Sequence, residues 1–360
     1  MTCALCGSEN REGAKFCDRC GGALDATVTR PTIDAELEMI RAAFSDRYIV
    51  ESLLGRGGMG SVYKARERSL DRHVALKIVP KARAADPEFI ERFRREARLA
   101  ARLRHPRIVS VHEVGTMDGF HYFSMDYIEG ATLRAVVQRR RALPPEDAIS
   151  IVAEICRAVA HAHGKGIIHR DLKPENVMID GEGDVFVMDF GLARAIQESG
   201  ITLTGTIMGS PYYMSPEQLA AEPLDERTDI YSTGLILYYC LTGDDLFAAE
   251  TITGVMVKHA TIRVGELVRE HSMLPLNLQE VLLSMLAEDR DRRARTVREI
   301  LERLTLRKIV ALGLAATEQQ QPDIAPTMPM IERETPQEVN PVNEAAARRK
   351  ARLKSLLDEM

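Results

Sequence analysis

The segment Leu54-Gly55-Arg56-Gly57-Gly58-Met59-Gly60-Ser61-Val62 constrains the fold of this 360-residue chain more than any other. Gly55, Gly57 and Gly60 follow a G-x-G-x-x-G spacing. A hairpin lacking side chains at those points can lie flat over a polyphosphate and offer it backbone N–H groups. The spacing alone is a weak signal, because glycine turns between strands are common. In a dinucleotide-binding unit a helix would follow the glycines. Here the segment from Ser61 to Ala65 continues as a strand, which points to a β-hairpin lid.

Further charged residues add to the pattern. Lys77 sits inside the apolar strand Val74–Val79, where the bland explanation is the solvent face of an edge strand. The spacing then predicts a long charged helix over 86–104, whose apolar stripe is Ile90, Phe93, Ala97, Ala100 and Leu103. Glu96 falls within that stripe, and a carboxylate on a buried face requires a cationic partner. Lys77 is the natural candidate. Downstream, His169-Arg170-Asp171-Leu172-Lys173-Pro174-Glu175-Asn176 packs acids, cations and an amide into one short loop after an apolar helix over 146–163. Asp189-Phe190-Gly191 then ends the apolar strand Val185–Met188. Asp189 and Asn176 can present oxygens to a hard cation such as Mg²⁺, which takes few protein ligands beside phosphates.

In order, these residues together resemble a bacterial eukaryotic-type (Hanks-type) Ser/Thr protein kinase over roughly residues 48–305, joined by Val62, Ala75 and Ser215-Pro216-Glu217. The resemblance implies an α+β, bilobal protein-kinase fold, with a small β-rich lobe over 48–127 and a large helical lobe over 128–305. It implies ATP and Mg²⁺ (or Mn²⁺) as cofactors and protein substrates as partners. Gly55 to Ser61, including Arg56, Gly58 and Met59, would cover the phosphates. Lys77, clamped by Glu96, would bind the α and β phosphates, Asn176 and Asp189 would hold Mg²⁺, and Asp171 would accept the substrate hydroxyl proton. Lys173 would neutralise charge on the γ phosphate. Leu54, Val62, Ala75, Met125, Asp126, Ile128 and Met178 match the adenine site, with Met125 guarding its back and Asp126–Ile128 as the hinge. Lys173-Pro174 after Leu172 implies Ser/Thr rather than Tyr specificity, with Ser210 in the supporting threonine's usual place. In the resemblance Arg170 awaits an activation-loop phosphate, for which Thr202, Thr204 and Thr206 are the candidates. Glu217 would pair with Arg293, and Asp229 would brace the catalytic loop. Ser215 and Arg290 depart from the usual Ala and Pro, and the chain has no Trp. The rivals are a pseudokinase scaffold and an adaptor acting by partner binding, but Lys77, Asp171, Asn176 and Asp189 show no gap.

Four of the six cysteines lie in the first 20 residues, as Cys3-x2-Cys6-Gly7 and Cys17-x2-Cys20-Gly21. A two-residue spacer lets both sulfurs of a turn reach one metal, and four thiolates in tetrahedral geometry select Zn²⁺. Residues 1–24 resemble the short zinc ribbons of many bacterial proteins. They are expected to bind Zn²⁺ structurally and to contact a protein partner or a second copy of the chain. Residues 25–47 read as a linker in which Ile33, Leu37, Ile40 and Phe44 recur at helical spacing. Residues 306–360 form a tail, rich in Glu, Gln and Pro, expected to be disordered over 317–342 and to end in an Ala/Arg/Lys/Leu segment as a short helix. A formal net charge of −5 gives no sign of nucleic-acid binding. No run approaches the ~20 apolar residues of a membrane span, and Cys156 and Cys240 sit alone in apolar helical patterns. The expectation is a cytoplasmic protein.

Overall fold

Alternating side chains on the strand Arg72–Ile78 divide the first lobe into two faces. Val74, Leu76 and Ile78 enter one apolar cluster, Ala75 and Val79 another on the opposite side. The computed structural model describes residues 33–57, 60–190, 211–249, 251–270, 274–305 and 354. Within it, β1 (Tyr48–Gly57), β2 (Gly60–Glu67), β3 (Arg72–Ile78), β4 (Val111–Met117) and β5 (Phe120–Asp126) form an antiparallel sheet in the order β1-β2-β3-β5-β4. β3 is therefore central. Lys77 lies opposite Val62 on one side and Phe123 on the other, so the edge-strand explanation for this lysine does not apply.

Helices cover both faces of the sheet. α1 (Ile33–Phe44) buries Ile40 and Phe44 against Tyr48, Tyr63, Phe120 and Tyr122. After the single turn of α2 (Lys81–Ala84), α3 (Pro87–Ala100) covers the other face. Its start is fixed by Asp86, whose carboxylate accepts from the Glu88 and Phe89 N–H groups, with Pro87 at the first helical position. Ile90, Phe93, Glu96 and Ala97 are its buried residues. The helix thus ends four residues before the expected 104.

The second lobe is built around α5 (Pro145–His163) and α7 (Arg227–Thr242). Every residue of α7 from Thr228 to Leu241 is buried, the polar Thr228, Asp229, Ser232 and Thr233 included. A three-stranded sheet, β6 (Gly130–Thr132), β7 (Val177–Asp180) and β8 (Val185–Val187), lies next to α4 (Leu133–Arg140). The outer layer comprises α6 (Pro216–Leu219), α8 (Ile252–Thr261), α9 (Val264–Glu270), α10 (Leu276–Met285) and a helix over 297–305, here α11. Between α3 and β4 the chain docks on this lobe: the Val109 N–H donates to Val187 O and the Val187 N–H to Arg107 O, at 3.0 and 2.9 Å. The Arg107 guanidinium adds pairs to Glu154 and Asp184.

Glu217 and Arg293 pair as the sequence suggests. Two N–H groups of the guanidinium donate to the two carboxylate oxygens at 2.7 and 2.8 Å, with both side chains almost wholly buried. Thr228 Oγ1 donates to the same carboxylate, and Arg293 also bonds the Ala287 carbonyl and covers the Tyr231 ring. Removing one partner strands a buried charge, whereas removing both does not. Arg293→Met is expected to lower unfolding free energy by ~3–5 kcal/mol in urea titrations, and Glu217→Leu with Arg293→Met by markedly less.

Candidate active site

The loop after α5 is held by one buried carboxylate. Asp229 on α7 accepts from the backbone N–H groups of His169 and Arg170, each at 2.8 Å, and from His163 Nε2 at 2.7 Å. Burial pushes this carboxyl up, but the His163 bond and charge, with the His169 amide, hold it below the usual range. The anchoring matters because Arg170 has φ +69°, a left-handed conformation rare for a non-glycine residue. Its carbonyl accepts from Gln218 Nε2 at 2.8 Å, so the strained residue is held at both its N–H and its C=O. His169 is fully buried, donates through Nε2 to Met188 O and lies against the Phe190 ring at 4.5 Å. The strand end carrying Asp189 is thereby joined to the loop carrying Asp171.

These anchors bring the predicted polar residues together at the cleft between the lobes. Lys173 Nζ donates to Asp171 Oδ2 at 2.7 Å. Asn176 Nδ2 donates to the Asp171 carbonyl at 2.8 Å and to Oδ2 at 3.1 Å. From the first lobe, Lys77 Nζ crosses the cleft to Asp189 Oδ1 at 2.7 Å. The expected Lys77–Glu96 ion pair is not formed. The alternation of β3 turns Lys77 into the cleft, where Asp189, at φ +62°, presents its carboxylate first. Glu96 is buried beside a small cavity also lined by Phe123, Met125, Asp189 and Phe190. The donor set fits a hard cation. Asn176 uses its N–H₂ on Asp171, leaving its oxygen as a ligand, and Asp189 Oδ2 has no bond among the described residues.

Above this cluster, Val62, Ala75, Met125 and Ile128 belong to one apolar wall, while Met178 on β7 is half-buried and Leu54 is 46% exposed. The Asp126 side chain turns away from the cleft, accepting from the Ser110 N–H at 2.8 Å and facing His112 at 2.9 Å. The Ile128 N–H has no backbone partner among the described residues. The glycines of the hairpin are not equivalent. Gly60 has φ +144°, and a Cβ there would lie 2.3 Å from the Ile78 carbonyl oxygen. Around Gly55 a Cβ would meet nothing within 4 Å, and around Gly57 only the Gly60 oxygen at 4.0 Å. The fold requires glycine at 60. At 55 and 57 the open space leaves room for a group to approach the backbone closely.

Gly58, Met59, Gly191, Ser210, Thr202, Thr204, Thr206, Cys3, Cys6, Cys17 and Cys20 lie outside the described residues. Three participants go beyond what the sequence predicts. His163 completes the Asp229 anchor. Arg134 on α4 binds Glu175 of the loop after α5 at 2.9 Å, Asp245 through two bonds and Tyr213. Glu36 on α1 receives Arg56 of the glycine hairpin at 2.7 Å. None follows a motif spacing. The apolar period of α1 is the one sequence signal near any of them.

Two outcomes test this geometry. Gly60→Ala is expected to lower stability by ~1–3 kcal/mol, the range for a strained backbone position, whereas Gly57→Ala leaves the melting temperature near the wild-type value. For Asp229 the folded pKa lies below the unfolded value of about 3.9, so the unfolded chain binds more protons and stability rises with pH. Its contribution is present above that value and is lost as pH falls through the folded pKa. Melting temperatures should drop steeply below about pH 4, and Asp229→Asn should be less stable at pH 7 with a shallower acid decline.

Comparison with known proteins places the chain in a family. The profile of the protein kinase domain family matches residues 48–304. The serine/threonine-protein kinase PrkC of Bacillus subtilis is 38% identical over 262 residues, 73% of this chain and 40% of that protein. The serine/threonine-protein kinase PknB of Mycobacterium leprae is 41% identical over 261 residues, 71% of this chain and 42% of that protein. The chain thus spans about two fifths of the length of these curated relatives. Among solved structures, the kinase domain of Mycobacterium tuberculosis PknI superposes with a TM-score of 0.55 at 28% identity, covering 72% of this chain and 95% of that one. From its bilobal fold, its cleft and this match, the chain belongs to the protein kinase family.

Proposed function

We propose that the chain is an ATP-dependent protein serine/threonine kinase. The convergence of Lys173 and Asn176 on the Asp171 carboxylate, with Lys77 and Asp189 across the cleft, carries this reading. Asp171 accepts the proton of a substrate Ser or Thr hydroxyl as that oxygen bonds to the γ phosphorus. The bond from that phosphorus to the bridging oxygen breaks, and ADP leaves. Asn176 orients the Asp171 carboxylate through Oδ2, and Lys173 places a positive charge beside it, where the transferring phosphoryl group concentrates negative charge. Lys77 supplies the ammonium for the remaining phosphates. Mg²⁺ would be held by Asn176 and Asp189 and would neutralise phosphate charge. Catalysis here is positioning and electrostatics.

Serine/threonine specificity is supported by Lys173-Pro174 and by the similarity to PrkC and PknB, both serine/threonine-protein kinases. Thr202, Thr204 and Thr206 are the proposed autophosphorylation sites, answered by Arg170. The four N-terminal cysteines are proposed to hold structural Zn²⁺ on the strength of their paired spacing, and their ribbon to engage a protein partner or a second copy. Work in the cytoplasm is supported by the free thiols of Cys156 and Cys240, which burial pushes up to about 12. No described helix is long and apolar enough to cross a membrane.

The test is transfer from labelled ATP with Mg²⁺ to the protein itself and to a generic acceptor, comparing wild type with Asp171→Asn. Label on Ser or Thr is expected to fall by at least ~10²-fold in the variant, the scale of a lost general base. Undiminished label in Asp171→Asn, or none from folded wild type, would refute the proposal.

A further inference from the structure

Helix α1 precedes the segment matched by the kinase family, yet it is bonded to the glycine hairpin. Three anchors hold it along β1. At its C-terminal end Phe44 is fully buried, edge-on to Tyr122 at 5.0 Å, with Ile40 one turn back. Arg41 donates through Nε to Val50 O at 3.0 Å and through a terminal N–H to Glu51 O at 2.8 Å. These carbonyls lie where the β1–β2 register shifts, between Val50 and Ser52, and a guanidinium supplies donors at that irregularity. Toward its N-terminal end, Glu36 accepts from Arg56 at 2.7 Å through Oε2 and from the Tyr63 hydroxyl at 3.4 Å through Oε1. Glu36, Ile40 and Phe44 are spaced four apart and share one face.

The Arg56 pair is the anchor that bears on the site. Arg56 lies between Gly55 and Gly57 and opposite Ser61 in the hairpin. It is the charged residue of β1 nearest the tip, and its guanidinium is turned to α1, with the Arg56 and Glu36 side chains 18% and 25% exposed. Gly55 and Gly57, with open space where a Cβ would stand, add no side-chain packing to set the height of the hairpin over the cleft. α1 supplies that restraint: a twelve-residue helix of about 18 Å, fixed at its far end by Phe44 and Arg41 and gripping the hairpin by Glu36.

We propose that α1 is a positioning element of the nucleotide site and that Glu36 is its positioning residue, setting the glycine hairpin through Arg56. This rests on the kinase reading only in taking ATP as the occupant of the cleft. It assigns to a segment outside the matched domain an influence on ATP affinity without contact with ATP.

The test measures the Kd of a fluorescent ATP analogue with Mg²⁺, together with KM for ATP, kcat and melting temperature. The full-length chains compared are wild type, Glu36→Gln, Arg56→Gln and the double variant. Glu36→Gln is expected to raise Kd and KM by roughly three- to tenfold while kcat changes less than about twofold, the signature of lost binding rather than lost chemistry. In the Arg56→Gln background the same change should have no further effect, because the two residues act as one unit. Arg41→Ala, at the other end of the helix, should raise Kd in the same direction. A lower melting temperature in Glu36→Gln with unchanged Kd would overturn the proposal, as would a Glu36→Gln effect of equal size with and without Arg56. Wild type that fails to bind ATP·Mg²⁺ would overturn this proposal and the kinase reading together, whereas binding without transfer in wild type would refute the latter alone.

Discussion

A carboxylate sealed from water is stable only when donors surround it, and Asp229 draws two of its three from the backbone just before Asp171. The site depends on that exchange. Arg170 occupies a left-handed conformation that costs of order 1–3 kcal/mol for a non-glycine residue. The central helix α7 offsets the cost by supplying Asp229, and α6 adds Gln218. The direction of Asp171 therefore follows from packing two helices away, in the most thoroughly buried part of the molecule.

The first lobe solves a different problem, placing a cation at a cleft without burying it unpaired. β3 does so by strand alternation. Lys77 shares its face with Ala75 and Val79, which pack beneath α3, while its ammonium reaches Asp189 in the other lobe. Lys77 bonds to Asp189 and not to Glu96, and that bond spans the cleft. The lobes are thus joined by an ion pair as well as by the backbone bonds near Val187, and the ion pair uses atoms proposed to meet phosphate and metal.

Much of this arrangement is legible in the amino-acid order. The glycine spacing followed by a strand indicates a hairpin, and β1 and β2 form one. The helix expected over 146–163 occurs as Pro145–His163, because a long apolar period buries a whole helix. α3 stops at Ala100 rather than 104, since the chain must turn there to dock Arg107 and Val109 on the other lobe. The choice of Asp189 over Glu96 by Lys77 is not legible. A sequence shows that a buried cation needs an anion, but not which of two lies nearer across a cleft. Nor is the docking of α1, whose apolar period predicts a helix and leaves its partner open. Arg134 and His163 likewise meet residues dozens of positions away, at distances that only tertiary packing fixes.

The family match begins at Tyr48, four residues after the end of α1. A fragment cut there keeps every motif residue of the cleft. It also bares a socket of Tyr48, Tyr63, Phe120 and Tyr122 and leaves the Val50 and Glu51 carbonyls without Arg41. Contiguous exposed aromatic surface is where protein molecules stick to one another. Trimming this protein to the bounds of the family match would thus manufacture an adhesive face that α1 otherwise covers, and the oligomers seen with such a fragment would report the cut rather than the protein.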